Sequence, residues 1–292
     1  MFSVMGVTGK VGGAAAASLL QAGAVVKAIV REPGKGIHWQ KRGAAVAVAD
    51  LDDAAALARA FAGADGAFVM LPPLFDPSPD FAEARRMSET LRAALAAARP
   101  GKVVCLSTIG ADAGERNLLS QLGLLERTLG DLPMPVAFLR AAWFLENATW
   151  DVAPACATGI LASPLQPLDK PFPMVATADV GRAAAALLRE EWTGRRIVEL
   201  EGPRRVSPDA IAAALGEALG RPVRAQVVAR ETWETLFHSQ GMRNPGPRMR
   251  MLDGFNEGWI EFADAGARAR KGRVALPEVI RALVAAAQAS AA

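Results

Sequence analysis

The stretch from Val4 to Gly13 reads "VMGVTGKVGG", and its interpretation decides the fold. A β-rich run, "FSVMGV", leads into it and an Ala/Leu-rich run, "GGAAAASLLQ", leaves it, so the glycines fall where a strand turns into a helix. Gly6, Gly9 and Gly12 form the pattern G-x-x-G-x-x-G. Gly6 permits a tight turn, Gly9 lets backbone amides approach a pyrophosphate, and Gly12 lets the helix lie close to the sheet. The helix start, with Val11, adds unpaired N–H groups and the positive end of its dipole, to which Thr8 can add a hydroxyl and Lys10 a positive charge. The competing reading is a secretory leader, since small residues and Lys10 are present. The apolar part is mostly Ala and Gly, is broken by Gln21 and runs into a strand-like "VVKAIV", which disfavours export.

Outward from this turn the first half alternates short apolar strands with helical segments. "VVKAIVR", "AAVAVAD", "GAFVML" and "KVVCLST" read as further strands, bounded by Gly, Pro or Asp. Residues 12–21, 54–61 and 80–98 read as helices. Continuous apolar strands alternating with helices predict an α/β fold, a doubly wound parallel sheet covered on both faces. "VAFLRAAWF" is expected as a sixth strand and "RIVELEGP" as a seventh, after the helix "ADVGRAAAALLRE". Residues 1–150 are thus expected to form the nucleotide-binding domain, with 175–203 returning to its sheet. Residues 151–292 are expected to form a smaller α+β C-terminal lobe on the substrate side, at the sheet's carboxyl edge. There "SPDAIAAALGEALG" has a Ser-Pro helix start and a Gly stop, "RPVRAQVVA" reads as a strand, and "ETWETLFHSQ" and "LPEVIRALVAAAQ" read as helices. "GMRNPGPRMRM" is poorly periodic and reads as a loop, lid or partner surface.

Composition excludes several classes. The 292 residues carry a net charge of only +3, with both signs scattered, so the pI near 9.1 gives little support for nucleic-acid binding. No stretch approaches the roughly 20 strongly apolar residues that span a bilayer. Two cysteines, Cys105 inside "VVCLS" and Cys156, make neither a disulfide framework nor a metal cluster, and His38 and His238 are isolated. No metal is expected, and a reducing cytoplasm is favoured. The chain contains no tyrosine, which excludes any mechanism built on a Tyr-Lys pair. Ser107 and Thr108 lack a G-x-S-x-G elbow, so their expected role is contact with the cofactor.

The second strand ends "AIVRE". Arg31 can grip a 2′-phosphate through its planar fork, which selects NADP; NAD fits if Glu32 binds the ribose instead. Asp50 and Leu51 end the third strand, and Leu71, Pro72 and Pro73 end the fourth, where adenine and ribose would lie; plain strand-to-loop punctuation explains them as well.

Taken together, "GVTGKVG", "VRE", "LPP", "LSTIGA", "LRAAWFLEN", "TADVGRAAAALL" and "LEGPRRVSPDAIAAALGEALGRPV" resemble the NmrA-like atypical short-chain dehydrogenases, most closely their NAD(P)H:quinone reductase-like members. The resemblance implies a Rossmann domain, NAD(P) binding and a cleft under a smaller C-terminal region. It also covers redox-sensing regulators that bind the cofactor and catalyse nothing. The chain departs from the family at Ala141 and Ala142, where Pro-Gly is usual. It also lacks a Lys in "NLLSQLGLLERTL" and has Gln121 where quinone reductase-like members tend to have His, so ether reduction is not expected.

The expectation is hydride transfer from NADPH to a quinone-like or other small conjugated carbonyl acceptor. Trp143 and Phe144 would wall the acceptor pocket, Asn147 would anchor it, and Glu146 is weighed as a proton relay. Either a monomer or a homodimer is compatible. The alternative is a non-catalytic NADP(H) sensor acting through a protein partner.

Overall fold

The computed structural model describes residues 1–291. In chain order the first elements are β1 (Phe2–Val4), α1 (Lys10–Gln21), β2 (Val26–Val30), α2 (Pro33–Lys41), β3 (Ala45–Val48), α3 (Ala54–Phe61), β4 (Gly66–Val69), α4 (Ala82–Ala98), β5 (Val103–Thr108), α5 (Ser120–Leu129) and β6 (Val136–Ala141). There follow β7 (Trp143–Phe144), a 3-10 turn (Leu145–Ala148), α6 (Thr149–Thr158), β8 (Ile160–Ser163), β9 (Met174–Val175), α7 (Thr177–Arg189) and β10 (Arg195–Glu201). The chain ends with α8 (Pro208–Leu219), β11 (Arg224–Val227), α9 (Trp233–Ser239), α10 (Gly246–Glu257), β12 (Arg270–Lys271) and α11 (Leu276–Ala291).

Two compact units divide the chain. The first holds Met1–Asp112, Leu119–Ala141 and Thr177–Val198; the second holds Ala113–Leu118, Ala142–Ala176 and Glu199–Ala292. The main sheet has the order β12-β10-β6-β5-β4-β1-β2-β3. From β3 to β6 every pairing is parallel. The doubly wound sheet expected from the sequence is therefore present, and its strand order reverses between β1 and β4.

Burial explains the strand pattern. β4, β5 and β6 lie inside the sheet, and all their residues except Thr108 are buried. Leu57, Phe61, Leu91, Leu95, Leu125 and Phe138 form the core against which α3, α4 and α5 pack, each full burial contributing about 1.5–3 kcal/mol. α1 packs with α7 through small residues. A Cβ on Gly181 would lie 2.4 Å from the Cβ of Ala14, so the two helices approach more closely than any larger side chain allows.

Two sequence expectations are corrected and one gap is filled. "VAFLRAAWF" is not one strand: it breaks at Ala142, whose N–H donates to the Leu200 carbonyl, and Trp143–Phe144 pair with Met174–Val175 instead. "GMRNPGPRMRM" is not a loop throughout. Pro245 precedes α10, whose first turn tolerates a further Pro because its N–H groups are unpaired there, and Gly258 ends it at φ +92°. Buried Met251, Leu252 and Phe255 supply the helical period, most of it beyond the end of that stretch. "PGKGIHWQK", unassigned in the sequence, forms α2, where Gly36 makes room for Val46 and Trp39 is buried.

In the second unit Ala148, Val152, Ala155, Leu161, Leu215 and Ile280 form a separate core uniting α6, α8 and α11. Ser207 caps α8 by accepting from the Ala210 N–H at 3.2 Å. No helix among the described residues is long and apolar enough to cross a membrane.

Candidate functional site

The β1–α1 turn brings Gly6, Thr8, Gly9, Lys10, Val11 and Gly12 together at the carboxyl end of β1, next to the point where the strand order reverses. In open α/β sheets this is where ligands bind. The glycines have different reasons to be there. Gly6 has φ +67°, a conformation that disfavours a side chain. A Cβ on Gly12 would sit 2.4 Å from the backbone of Met5 and Gly6, so the helix–strand approach itself requires glycine. Gly9 has φ −99°, and a Cβ there would meet only the Gly6 carbonyl, at 3.4 Å. Neither backbone nor internal packing demands glycine at 9, which leaves its main chain open to close approach from outside. Gly9 is also the N-cap of α1 and supplies no capping side chain, and the first turn carries no acidic residue. The amides of Lys10, Val11 and Gly12 are left for an anion. Thr8, Gly9 and Lys10 are exposed. This turn fits a dinucleotide pyrophosphate.

Arg31 follows β2 and is exposed; among the described residues it makes no hydrogen bond or ion pair, so its guanidinium is available. Asp50 is engaged locally, its Oδ1 accepting from the Asp52 N–H at 3.1 Å, which builds the turn before α3. Leu51 is half-buried, Leu71 buried, and Pro72 and Pro73 exposed, all just beyond β3 and β4. Gln121 donates from Nε2 to the Leu74 carbonyl at 3.1 Å and so ties α5 to the loop after β4.

Ser107 and Thr108 end β5 and face different surroundings. The buried Ser107 hydroxyl donates to Glu126 Oε1 at 2.6 Å, whereas Thr108 is half-buried. Glu126 in turn accepts from Arg140 at both oxygens, Nε at 2.8 Å and an outer nitrogen at 2.7 Å. The other outer nitrogen of Arg140 donates to Asp112 at 2.6 Å. Burial alone would lower the Arg140 pKa, but the hydrogen bonds and charge of Glu126, then Asp112, outweigh it and raise the pKa, so the guanidinium stays cationic. Burial likewise pushes the Cys105 thiol well up and leaves it inert. This network was missed in the sequence, although an Arg inside the otherwise apolar "VAFLRA" was a signal that a buried carboxylate must face it.

All these residues belong to the first unit; Trp143, Phe144 and Asn147 belong to the second. Trp143 meets Phe255 of α10 edge-on, ring centroids 5.4 Å apart, and Phe255 meets Phe172 at 6.5 Å. Both Trp143 and Phe144 keep part of their surface exposed. Asp151, one turn beyond Asn147, has its carboxyl pushed up to about 6 by desolvation. A groove of about 780 Å³ in this unit is lined by Gln166, Asp169, Asp209, Arg230, Asp253 and Asn256 among others, and not by the predicted aromatic wall. Among the described residues no cluster of His, Cys, Asp or Glu is placed to hold a metal.

The model of the NmrA-like family matches residues 2–254. A Streptomyces griseus protein, (4-alkanoyl-5-oxo-2,5-dihydrofuran-3-yl)methyl phosphate reductase, is 30% identical over 240 residues, 81% of this chain and 80% of its own length. The NAD(P)H azoreductase of Xenophilus azovorans is 26% identical over 243 residues, covering 83% of this chain and 82% of that protein. Among solved structures, the Escherichia coli NADPH-dependent quinone oxidoreductase complexed with NADPH superposes with a TM-score of 0.80 at 23% identity, covering 97% of this chain and 99% of that one.

Proposed function

The chain belongs to the NmrA-like family, and on that premise we propose that it is an NADPH-dependent reductase of quinone-like or other small conjugated carbonyl acceptors, working without a Tyr-Lys pair. The observation that carries this reading is Gly9, a glycine that the protein's own backbone and packing do not need, at a helix start with no capping side chain. The activities for which the three relatives are named, each a reductase or oxidoreductase and two of them with NAD(P)H or NADPH, point the same way.

In this reading the first-turn amides of α1 and Lys10 hold the pyrophosphate, and Arg31 takes the 2′-phosphate. The loops at Asp50–Leu51 and Leu71–Pro73 border adenine and ribose, and Thr108, backed by Ser107, contacts the nicotinamide end. Once bound, the cofactor would supply a hydride. The Glu126–Arg140 pair fixes the end of β5 through Ser107 and is itself neutral, while the exposed Asp112 leaves the group one negative charge. Trp143 and Phe144 give a flat acceptor a surface to lie on, with Asn147 as polar anchor. Reduction of a conjugated carbonyl leaves an oxygen anion needing one proton, which water or Asp151 provides; Asp151 keeps its proton up to about pH 6. We place the protein in the cytoplasm, where free thiols such as the exposed Cys156 persist.

The test is to mix the protein with NADPH and a panel of quinones and azo dyes and to follow the loss of reduced-cofactor absorbance. Turnover of at least one member is expected. Tight NADPH binding with no oxidation across the panel would sink the enzyme reading and leave a cofactor sensor acting through a protein partner.

A further inference from the structure

The second unit contains an arginine whose charge is answered by no carboxylate among the described residues. Arg248 lies in the first turns of α10. Its guanidinium sits over the buried Phe237 ring, 4.5 Å from the centroid, and its one polar contact among the described residues is the Met242 sulfur at 3.7 Å. Among the described residues it has no carboxylate partner. Its neighbours differ. Arg250 pairs with Asp253 and Glu115, and Arg230 grips Asp253 through two bonds of 2.6 and 2.9 Å. Desolvation lowers the pKa of Arg248, and no opposing charge offsets it. A half-buried cation set on apolar surface without a counter-ion costs free energy unless something supplies the anion.

Its place on the helix says what that anion belongs to. Seven residues along α10 is two turns, so Arg248 and Phe255 share one helix face, about 10 Å apart along the axis. Phe255 is the ring that meets Trp143, the predicted acceptor wall. The same face therefore carries an aromatic contact at one end and an unanswered guanidinium at the other. Resting on the reading of Trp143 as an acceptor wall, we propose that Arg248 is the oxyanion-binding group of the acceptor site. The preferred acceptors then carry, beside the conjugated ring, a carboxylate, sulfonate or phosphate that the guanidinium fork takes.

The test uses a redox-inert pair, 2-naphthalenesulfonate and neutral 2-naphthol, titrated by calorimetry into the full-length protein with and without NADP⁺. Wild type is expected to bind the sulfonate at least tenfold more tightly than the naphthol. Arg248→Met, which keeps an apolar stem over Phe237, abolishes that preference, and Arg248→Lys restores part of it. A wild type that does not prefer the sulfonate, or an Arg248→Met protein that keeps the preference, overturns the proposal. This equilibrium needs no turnover, so it decides on Arg248 even if no quinone or azo dye is reduced and the reductase reading fails.

Discussion

The carboxyl ends of β1 to β5 in the first unit and the α10 face in the second handle charge in opposite ways. In the first unit the buried cation, Arg140, is answered by Glu126 and Asp112, and in the proposed reading anion binding is left to main-chain amides around Gly9. In the second, Arg248 is half-buried and has no carboxylate partner among the described residues, and in the proposal above it is this side chain that takes the anion. The difference matches what each would hold. A dinucleotide pyrophosphate is invariant and suits a fixed backbone cradle; an acceptor varies, and a long side chain adapts to it.

The contrast can be broken first at its neutralised end. Glu126→Ala leaves Arg140 buried with only Asp112, whose carboxylate is 66% exposed. Removing one partner of a buried pair costs about 3–5 kcal/mol. Urea unfolding should show that loss, and a loss below about 1 kcal/mol would mean that Arg140 is not held by Glu126. Next is Arg31, which has no hydrogen bond or ion pair among the described residues. Arg31→Ala should weaken NADPH binding roughly tenfold or more, since charge-assisted bonds contribute about 1.5–3 kcal/mol, and leave NADH affinity nearly unchanged. Equal losses for both cofactors would remove the 2′-phosphate assignment.

The smallest effect sharpens the second unit. Asp151 has its pKa raised to about 6 by desolvation, so on raising the pH the unfolded chain gives up this proton before the folded one does. Its charge therefore destabilises the fold progressively as pH rises from about 4 to 6, fully above that, and not below the ordinary carboxylate range. Asp151→Asn should gain about 1 kcal/mol over wild type at pH 7 after allowance for partial solvent screening, and nothing at pH 4. Parallel stability–pH curves for the two proteins would contradict the desolvation account.

The first unit was legible because its signals are local. A strand period of two, a helix period, and glycines at a strand-to-helix turn all lie within a few residues of one another, and the absence of tyrosine is legible without any structure. What escaped was non-local. Arg140 finds Glu126 and Asp112 only when β6 packs beside α5, and the strand break at Ala142 depends on where residues 173–175 lie. α10 escaped because its opening is rich in Gly, Pro and Arg while the apolar period begins at Met251 and ends at Phe255. Arg248 has no sequence signature, because an unpaired charge is recognisable only once its neighbours are known.

The cradle rests on two glycines that fail for different reasons, and this gives the most direct test. Gly12→Ala forces a Cβ to within 2.4 Å of backbone and should damage the fold itself. Gly9→Ala meets nothing closer than 3.4 Å, so its unfolding free energy should stay within about 1 kcal/mol of wild type, the scale of an N-cap change. The deciding measurement is a calorimetric titration of Gly9→Ala with NADPH. At least a tenfold loss of affinity in a fully folded protein is predicted; affinity equal to wild type would contradict the assignment of this turn as a dinucleotide cradle.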